Sequence, residues 1–576
     1  MPIFLPPGRA ALAACILLSA CAATPGDGPS ASASSNAPER AATITAPDPA
    51  YGAFLAARYA DAIGDPASAA KFYTTALKYV PKKRELLQEG FLASVLAGSP
   101  EAARLAPLLP GNALAILVRG DEAALRGDYA TAARFFATLP EDQLSMLIKP
   151  LLIAWTQLGQ GNEQAALNTL GPSFNNDAFG IVYVLNAALI ADAAGDTKSA
   201  AQLYGAISDA SANLRLAEIL ASWYARQGQP DQARLVLEAL MEAHPDLAIA
   251  RPQLEAHMAR PVISTPEQGL AEAYLTLAAS LSQPQAVFLR TVFLRFALEL
   301  RPDLSAARLI LASTQINAAD PSYTPSKVEM RNALATLTPI PPGDPLYAPA
   351  AVQEANLLNS LGEPDQAEAL LDRLLATYPD DAGLLALAGD IRRTSGACRQ
   401  ALPYYQKAIA AVGEPPPPTA WPLFFDRGIC EDETGNWAAA EPDIETALKL
   451  SPSQPYVLNY LAYSWALRDE NLPQAQAMLT KAVALDPNDG AVLDSLGFVE
   501  LKLGNTNKAL ALLIQAVQLS PDDPEVNAHL GDAFWQAGQP LQAAYQWGRA
   551  LNLHPDAKLA AALREKLATH FGGPAS

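Results

Sequence analysis

The residue types that could carry chemistry in this chain are few and scattered. Its five histidines are His244, His257, His529, His554 and His570, and none stands in H-E-x-x-H or another metal-ligand spacing. His244 and His554 each directly precede a proline, as residues at a helix C-terminus do. No G-x-G-x-x-G opens a helix after a strand pattern, no G-K-[ST] cradles a phosphate, and no G-x-S-x-G presents a nucleophile. The four cysteines, Cys15, Cys21, Cys398 and Cys430, form no C-x-x-C pair. Asp426, Glu431, Asp432 and Glu433 make an acidic cluster near one helix end, which reads as a solvated face, with a docking patch for a basic partner as the alternative. The expectation is a chain that is not an enzyme and takes no cofactor or metal.

Cys21 is the cysteine whose setting implies a covalent reaction. One positive charge, Arg9, precedes an apolar run from Ala10 to Ala20. That run is about half the length a membrane-spanning helix needs, which is the shape of a secretory signal. It ends Leu18-Ser19-Ala20-Cys21, which resembles the bacterial lipobox: a branched apolar residue, two small residues, then the cysteine that receives a lipid thioether. The resemblance implies a signal peptide over 1–20 and a lipidated Cys21. Residues 21–49 are rich in Ala, Ser, Pro and Thr and cannot bury enough apolar surface to order themselves, so they read as a disordered tether. Ala22 follows the cysteine, with no Asp there. In the lipoproteins this resembles, that favours an outer-membrane anchor facing the periplasm.

Bulk composition bounds the rest. A chain of 576 residues exceeds what one core serves, and 50% hydrophobic with 17% charged content is that of a folded protein. A net charge of −19 repels phosphate backbones, so nucleic acid is not an expected partner.

From residue 50 the chain repeats with a period of about 34. Two clear copies are GAVLDSLGFVELKLGNTNKALALLIQAVQLSP from 490 and PEVNAHLGDAFWQAGQPLQAAYQWGRALNLHP from 524. Each carries a small residue inside its first helix (Gly497, Gly531) and a turn glycine (Gly504, Gly538). Each then carries an early alanine (Ala509, Ala543), a bulky residue four further on (Leu513, Trp547) and a closing proline (Pro521, Pro555). Two helices cross closely only where small side chains meet, glycine ends the first helix, and proline stops the second. This is the tetratricopeptide-repeat pattern. It predicts an all-α, superhelical solenoid of about thirteen to fourteen helix pairs, since no hairpin buries its apolar face alone. The array reads as 50–247, then degenerate repeats over 248–347, then 348–557, with a capping helix and tail over 558–576. Two Pro-rich interruptions, 248–268 and 316–347, read as hinges, contact loops or surface insertions. The second holds a helix-like stretch from Ser326 to Leu337.

First helices line the concave side of this repeat. In the last three copies their inward positions carry Asn459 and Tyr463, Asp494 and Phe498, then Asp532 and Trp535. Aromatic rings beside hydrogen-bonding groups are what peptide recognition needs, so a continuous stripe of these six reads as a partner-binding groove, the alternative being that they pack inside the superhelix. Cys398 begins a second helix and Cys430 lies late in the next first helix. Those helices are antiparallel neighbours, so a disulfide is expected in an oxidising compartment.

Residues 459–547 resemble more than generic repeat consensus. They are similar to a family of Gram-negative tetratricopeptide lipoproteins that includes the lipoprotein partner of a periplasmic carboxy-terminal processing protease. The resemblance implies an adaptor or scaffold that recruits or activates that protease and brings cell-wall hydrolases to it. The alternative is a structural component of an envelope assembly or exopolysaccharide export complex.

Overall fold

The computed structural model describes residues 49–572 apart from 177–178, 208–212, 282, 319 and 321. The expected signal, Cys21 and all but the last residue of the tether lie outside the described residues. Among the described residues the elements are thirty α-helices and five short 3-10 turns, with no strand. Setting aside the short helix Arg251–His257 and the terminal helix Ala557–Phe571, the other twenty-eight form fourteen hairpins. The described residues fall into two compact units that divide between residues 350 and 351.

One hairpin shows how sequence makes the unit. Asp489 caps helix Gly490–Lys502, its carboxylate accepting from the amides of Ala491 and Val492. Gly504 ends the turn at φ +80°, and helix Thr506–Leu519 returns. Gly497 is where the two helices touch: a Cβ there would lie 2.6 Å from Leu513 Cγ. Gly531 meets Trp547 in the same way, with 2.4 Å to Cδ1. The copy with one extra turn residue lacks the glycine, and Asp469 and Asn471 take the left-handed conformation instead (φ +57° and +47°).

In the first unit, six hairpins run from Pro49 to Ala243. The chain then turns back across its own array. Helix Pro266–Ser280 packs on Ala113–Leu125, Gln143–Gly159 and Gly180–Ala194, and helix Val287–Leu300 packs on Arg84–Ala97 and Ala113–Leu125. All four targets are first helices of hairpins, so this inserted hairpin fills the inner side of the array. Gly269 to Ala278 are buried without a break. A helix buried on all sides belongs inside a protein, and side chains such as Leu270, Leu275 and Leu277 each contribute about 1.5–3 kcal/mol by burial. Polar contacts fix its register. Tyr129 donates to Glu267 at 2.6 Å, Tyr274 to Asp121 at 3.1 Å, and the Asn186 amide to Thr276 at 3.2 Å. Arg215 holds Glu272 at 2.7 Å.

The interruption at 248–268 is therefore the approach to a groove-filling insertion. At the other interruption Ser326 and Glu329 form a capping box on helix Lys327–Leu337, and Asn332 Nδ2 donates to the Gly64 carbonyl at 2.9 Å. That segment is a contact made back to the first hairpin.

The second unit stacks six hairpins, the first opened by helix Tyr347–Ser360, whose first residues precede the division, and ends in helix Ala557–Phe571. Its first helices lie side by side: Ala382–Thr394 beside Trp421–Glu433, and Pro455–Leu467 beside Gly490–Lys502, which also touches Pro524–Gln536.

Candidate partner-binding face

The inner face of the second unit is built by those first helices. Asn459 and Tyr463 are the fifth and ninth residues of helix Pro455–Leu467, and Asp494 and Phe498 the fifth and ninth of Gly490–Lys502. Equal positions on adjacent helices meet, and the Tyr463 and Phe498 rings lie 5.5 Å apart. Phe498 stacks on His529 at 4.5 Å, and Tyr463 meets the same imidazole edge-on at 6.3 Å. Asp494 Oδ2 holds His529 Nδ1 at 2.8 Å, and the Tyr463 hydroxyl donates to Glu525 at 2.5 Å. The row continues upstream, with Tyr460 edge-on to Phe425 at 5.6 Å and Phe425 against Trp421 at 6.1 Å. All five aromatic side chains of this row are half-buried, and Trp421, Phe425, Tyr460 and Phe498 are seated on the core.

Asp532 and Trp535 do not join this row, so the expected continuous stripe is split. They are the ninth and twelfth residues of helix Pro524–Gln536. The offset carries Trp535 toward the end of the unit, where it stacks on His570 at 3.9 Å and meets Trp547 and Phe571 at 5.9 Å each. Asp532 accepts from Trp547 Nε1 at 2.9 Å and from Lys566 at 2.6 Å. These two residues dock the capping helix. The place in the row expected for them belongs to His529, the sixth residue of that helix. A lone histidine carries no motif, and only the hairpin register could have singled it out.

The electrostatics of the face are acidic. Burial pushes the His529 pKa down, but the Asp494 carboxylate, helped by Glu525 and Asp532, outweighs it and leaves the ring above its ordinary value. Asp494 is 5% exposed, and among the described residues neither its Oδ1 nor the buried Asn459 Oδ1 has a hydrogen-bond partner. The acidic cluster expected to be solvated is only partly so. Asp426 is pushed up to about 7 by burial and by Asp390, against the pull of Arg393 at 3.2 Å. Asp432 accepts from Tyr460 at 3.2 Å and pairs with Arg468, while Glu433 is exposed. Half-buried rings beside carboxylates and unpartnered acceptors suit a cationic side chain, which ring faces and acidic oxygens both attract. Lys502 already lies 5.2 Å from the Phe498 ring centroid.

Cys398 and Cys430 are joined as a disulfide with Cα atoms 4.9 Å apart, packed with Ala401 and Tyr405. Among the described residues no group of three or more His, Cys, Asp or Glu is placed to hold a metal ion, and no single helix is long and apolar enough to cross a membrane.

Comparison with known proteins finds tetratricopeptide-repeat models over residues 219–246, 348–391 and 425–490, and a TPR-repeat model over 497–538. A TPR repeat-containing protein of Pseudomonas aeruginosa is 28% identical over 150 residues, which is 26% of this chain and 24% of that relative's length. Among solved structures, the APC/C hetero-tetramer Cut9-Hcn1 is similar over 90% of this chain and 96% of its own, at 15% identity and TM-score 0.38. A tetratricopeptide repeat protein from Parabacteroides merdae is similar over 42% of this chain and 94% of its own, at 15% identity and TM-score 0.35.

Proposed function

From an all-α array that carries tetratricopeptide repeats in both of its units, we propose a non-catalytic scaffold that binds a partner protein on the inner face of the second unit. The observation that carries this reading is the half-buried ring row from Trp421 to Phe498, closed by His529, with an unpartnered Asp494 oxygen beside it. The inner side of the first unit is filled by its own hairpin. A partner segment bearing Lys or Arg fits the rings and carboxylates.

The setting is the cell envelope. The lipobox supports a Cys21 anchor at the outer membrane, and the family resemblance supports a periplasmic carboxy-terminal processing protease and cell-wall hydrolases as partners. Several acyl chains on one cysteine hold a protein stably where a single chain does not. The test is affinity capture from envelope extract with the parent and with Cys21→Ser. The parent should sediment with membranes and retain a serine protease with hydrolases, and Cys21→Ser should be released into the soluble fraction. Sedimentation of Cys21→Ser without any partner bound would overturn the anchor. Recovery of synthase and porin components in place of the protease would move the scaffold to an export complex.

A further inference from the structure

Arginines that are buried or half-buried in this chain mostly have a carboxylate beside them. Arg215, Arg226, Arg392, Arg393, Arg427 and Arg468 each sit in an ion pair. In the first unit Arg119, Arg290, Arg295 and Arg308 have none among the described residues, and of these Arg295 and Arg308 face one cavity. Arg295 Nε donates to the Leu96 carbonyl at 2.7 Å, and its two Nη groups have no acceptor there. Arg308 is held by neutral oxygens alone, the Pro302 carbonyl at 2.9 Å and the Thr336 carbonyl at 3.1 Å. A chain with 59 Asp and Glu against 40 Lys and Arg has no shortage of carboxylates to place here. Two half-buried guanidiniums with no ion-pair partner among the described residues are costly unless something else supplies a counter-charge.

Both side chains line one cavity of about 450 Å³, within the range of small-molecule sites. Its wall includes Ser94, Gly98, Ser99 and Glu299. Gly98 closes helix Arg84–Ala97 at φ +64°, and a Cβ there would lie 3.4 Å from Arg295 Nη1, so the backbone lies directly against the guanidinium. The Ser94 hydroxyl is committed to the Gly90 carbonyl at 2.6 Å. The Ser99 hydroxyl accepts from the Glu101 amide at 3.3 Å and keeps its own proton to donate. We propose that this cavity binds a small oxyanion, a carboxylate or phosphate, with the free Nη edge of Arg295 as its forked donor, Arg308 as a second positive charge and Ser99 as a hydroxyl donor. Two further facts fit. Burial and then the Arg308 charge push the Arg295 pKa down to about 10, which a bound anion would reverse. The opposing acid, Glu299, is pushed up to about 7 by burial and by Glu122, so much of it is neutral near that pH and able to donate.

The test titrates the full chain with inorganic phosphate and, separately, with acetate at matched ionic strength, by calorimetry and by melting. Saturable binding to the parent is expected, weakened about tenfold or more in Arg295→Gln, because hydrogen bonds to a charged group are lost. The relative affinity for phosphate and acetate tells which source the site prefers. Phosphate raises the melting temperature of most proteins by exclusion, so the reading is the difference between parent and variant. Arg308→Gln leaves the Leu96 contact in place and should also weaken binding. Without added anion Arg295→Met should melt no lower than the parent, since it removes an unpaired charge. Absence of saturable binding to either oxyanion, or equal binding by parent and both Gln variants, would overturn the site.

Discussion

The buried pair between Arg215 and Glu272 fastens the inserted hairpin to the first unit, and its removal tests whether that hairpin is core. Glu272 accepts three hydrogen bonds from Arg215, at 3.0, 3.1 and 2.7 Å. Its side chain is 0% exposed and that of Arg215 is 9% exposed. In Glu272→Ala the guanidinium stays buried with Glu218 at 2.8 Å as its remaining partner. Breaking a buried pair by removing one member costs about 3–5 kcal/mol, and the Glu218 contact places this case near the lower end, about 3 kcal/mol. Replacing both members, Arg215→Met with Glu272→Leu, leaves no orphan charge and should stay within about 1 kcal/mol of the parent. Urea unfolding of the first unit reads the energies, and amide exchange over Pro266–Ser280 reads where the loss occurs. The single variant should exchange faster along that helix, and the double variant should not. A loss under about 1 kcal/mol with unchanged exchange would mean the hairpin is not core, and the inner side of the first unit would then be open to ligands.

The disulfide and two titrating groups give further outcomes in the second unit. Cys398 and Cys430 close a loop of sequence separation 32, worth about 3–4 kcal/mol in the chain-entropy model, so reductant should lower the unfolding midpoint of the parent and leave Cys398→Ser with Cys430→Ser unmoved. An unchanged parent midpoint would contradict the cross-link. Asp426 is raised from 3.8 to about 7, so the stability it contributes is present below about pH 4 and lost as pH rises toward 7. His529 is raised too, so its contribution is in place below about pH 6.5 and lost as pH climbs through its folded value. The second unit should therefore melt lower at pH 8 than at pH 5.5. Asp426→Asn should recover part of the difference, up to a few kcal/mol, since each tenfold change in proton affinity is worth about 1.4 kcal/mol. Equal melting across that range would refute the assignment.

The hairpins were legible in the sequence because their physics is local. A small residue must face a bulky one about sixteen positions later, as Gly497 faces Leu513 and Gly531 faces Trp547, and a glycine must turn the chain between them. The inserted hairpin was not legible. Its first helix is buried on every side, so it has no apolar stripe to announce a face, and its contacts, such as Tyr274 with Asp121, span 153 residues. On the candidate face, Tyr463 and Phe498 could be paired because they share one register. Trp535 sits three residues past that register and stacks on His570 of the cap while staying 38% exposed, and His529 fills the gap with a residue type that carries no pattern of its own. Phe425 and Tyr460 extend the row by contacts between neighbouring helices, which periodicity within one helix does not report.

Whether the ring row of the second unit holds a partner or merely packs is decided by Tyr463→Ala and Phe498→Ala, singly and together, with partner affinity by calorimetry and melting measured on the same samples. Each ring is half-buried, so each truncation should cost about 2 kcal/mol or more of binding while melting moves much less. Unchanged affinity in the double variant, or a fall in melting that accounts for the whole loss of binding, would contradict a binding role for the row.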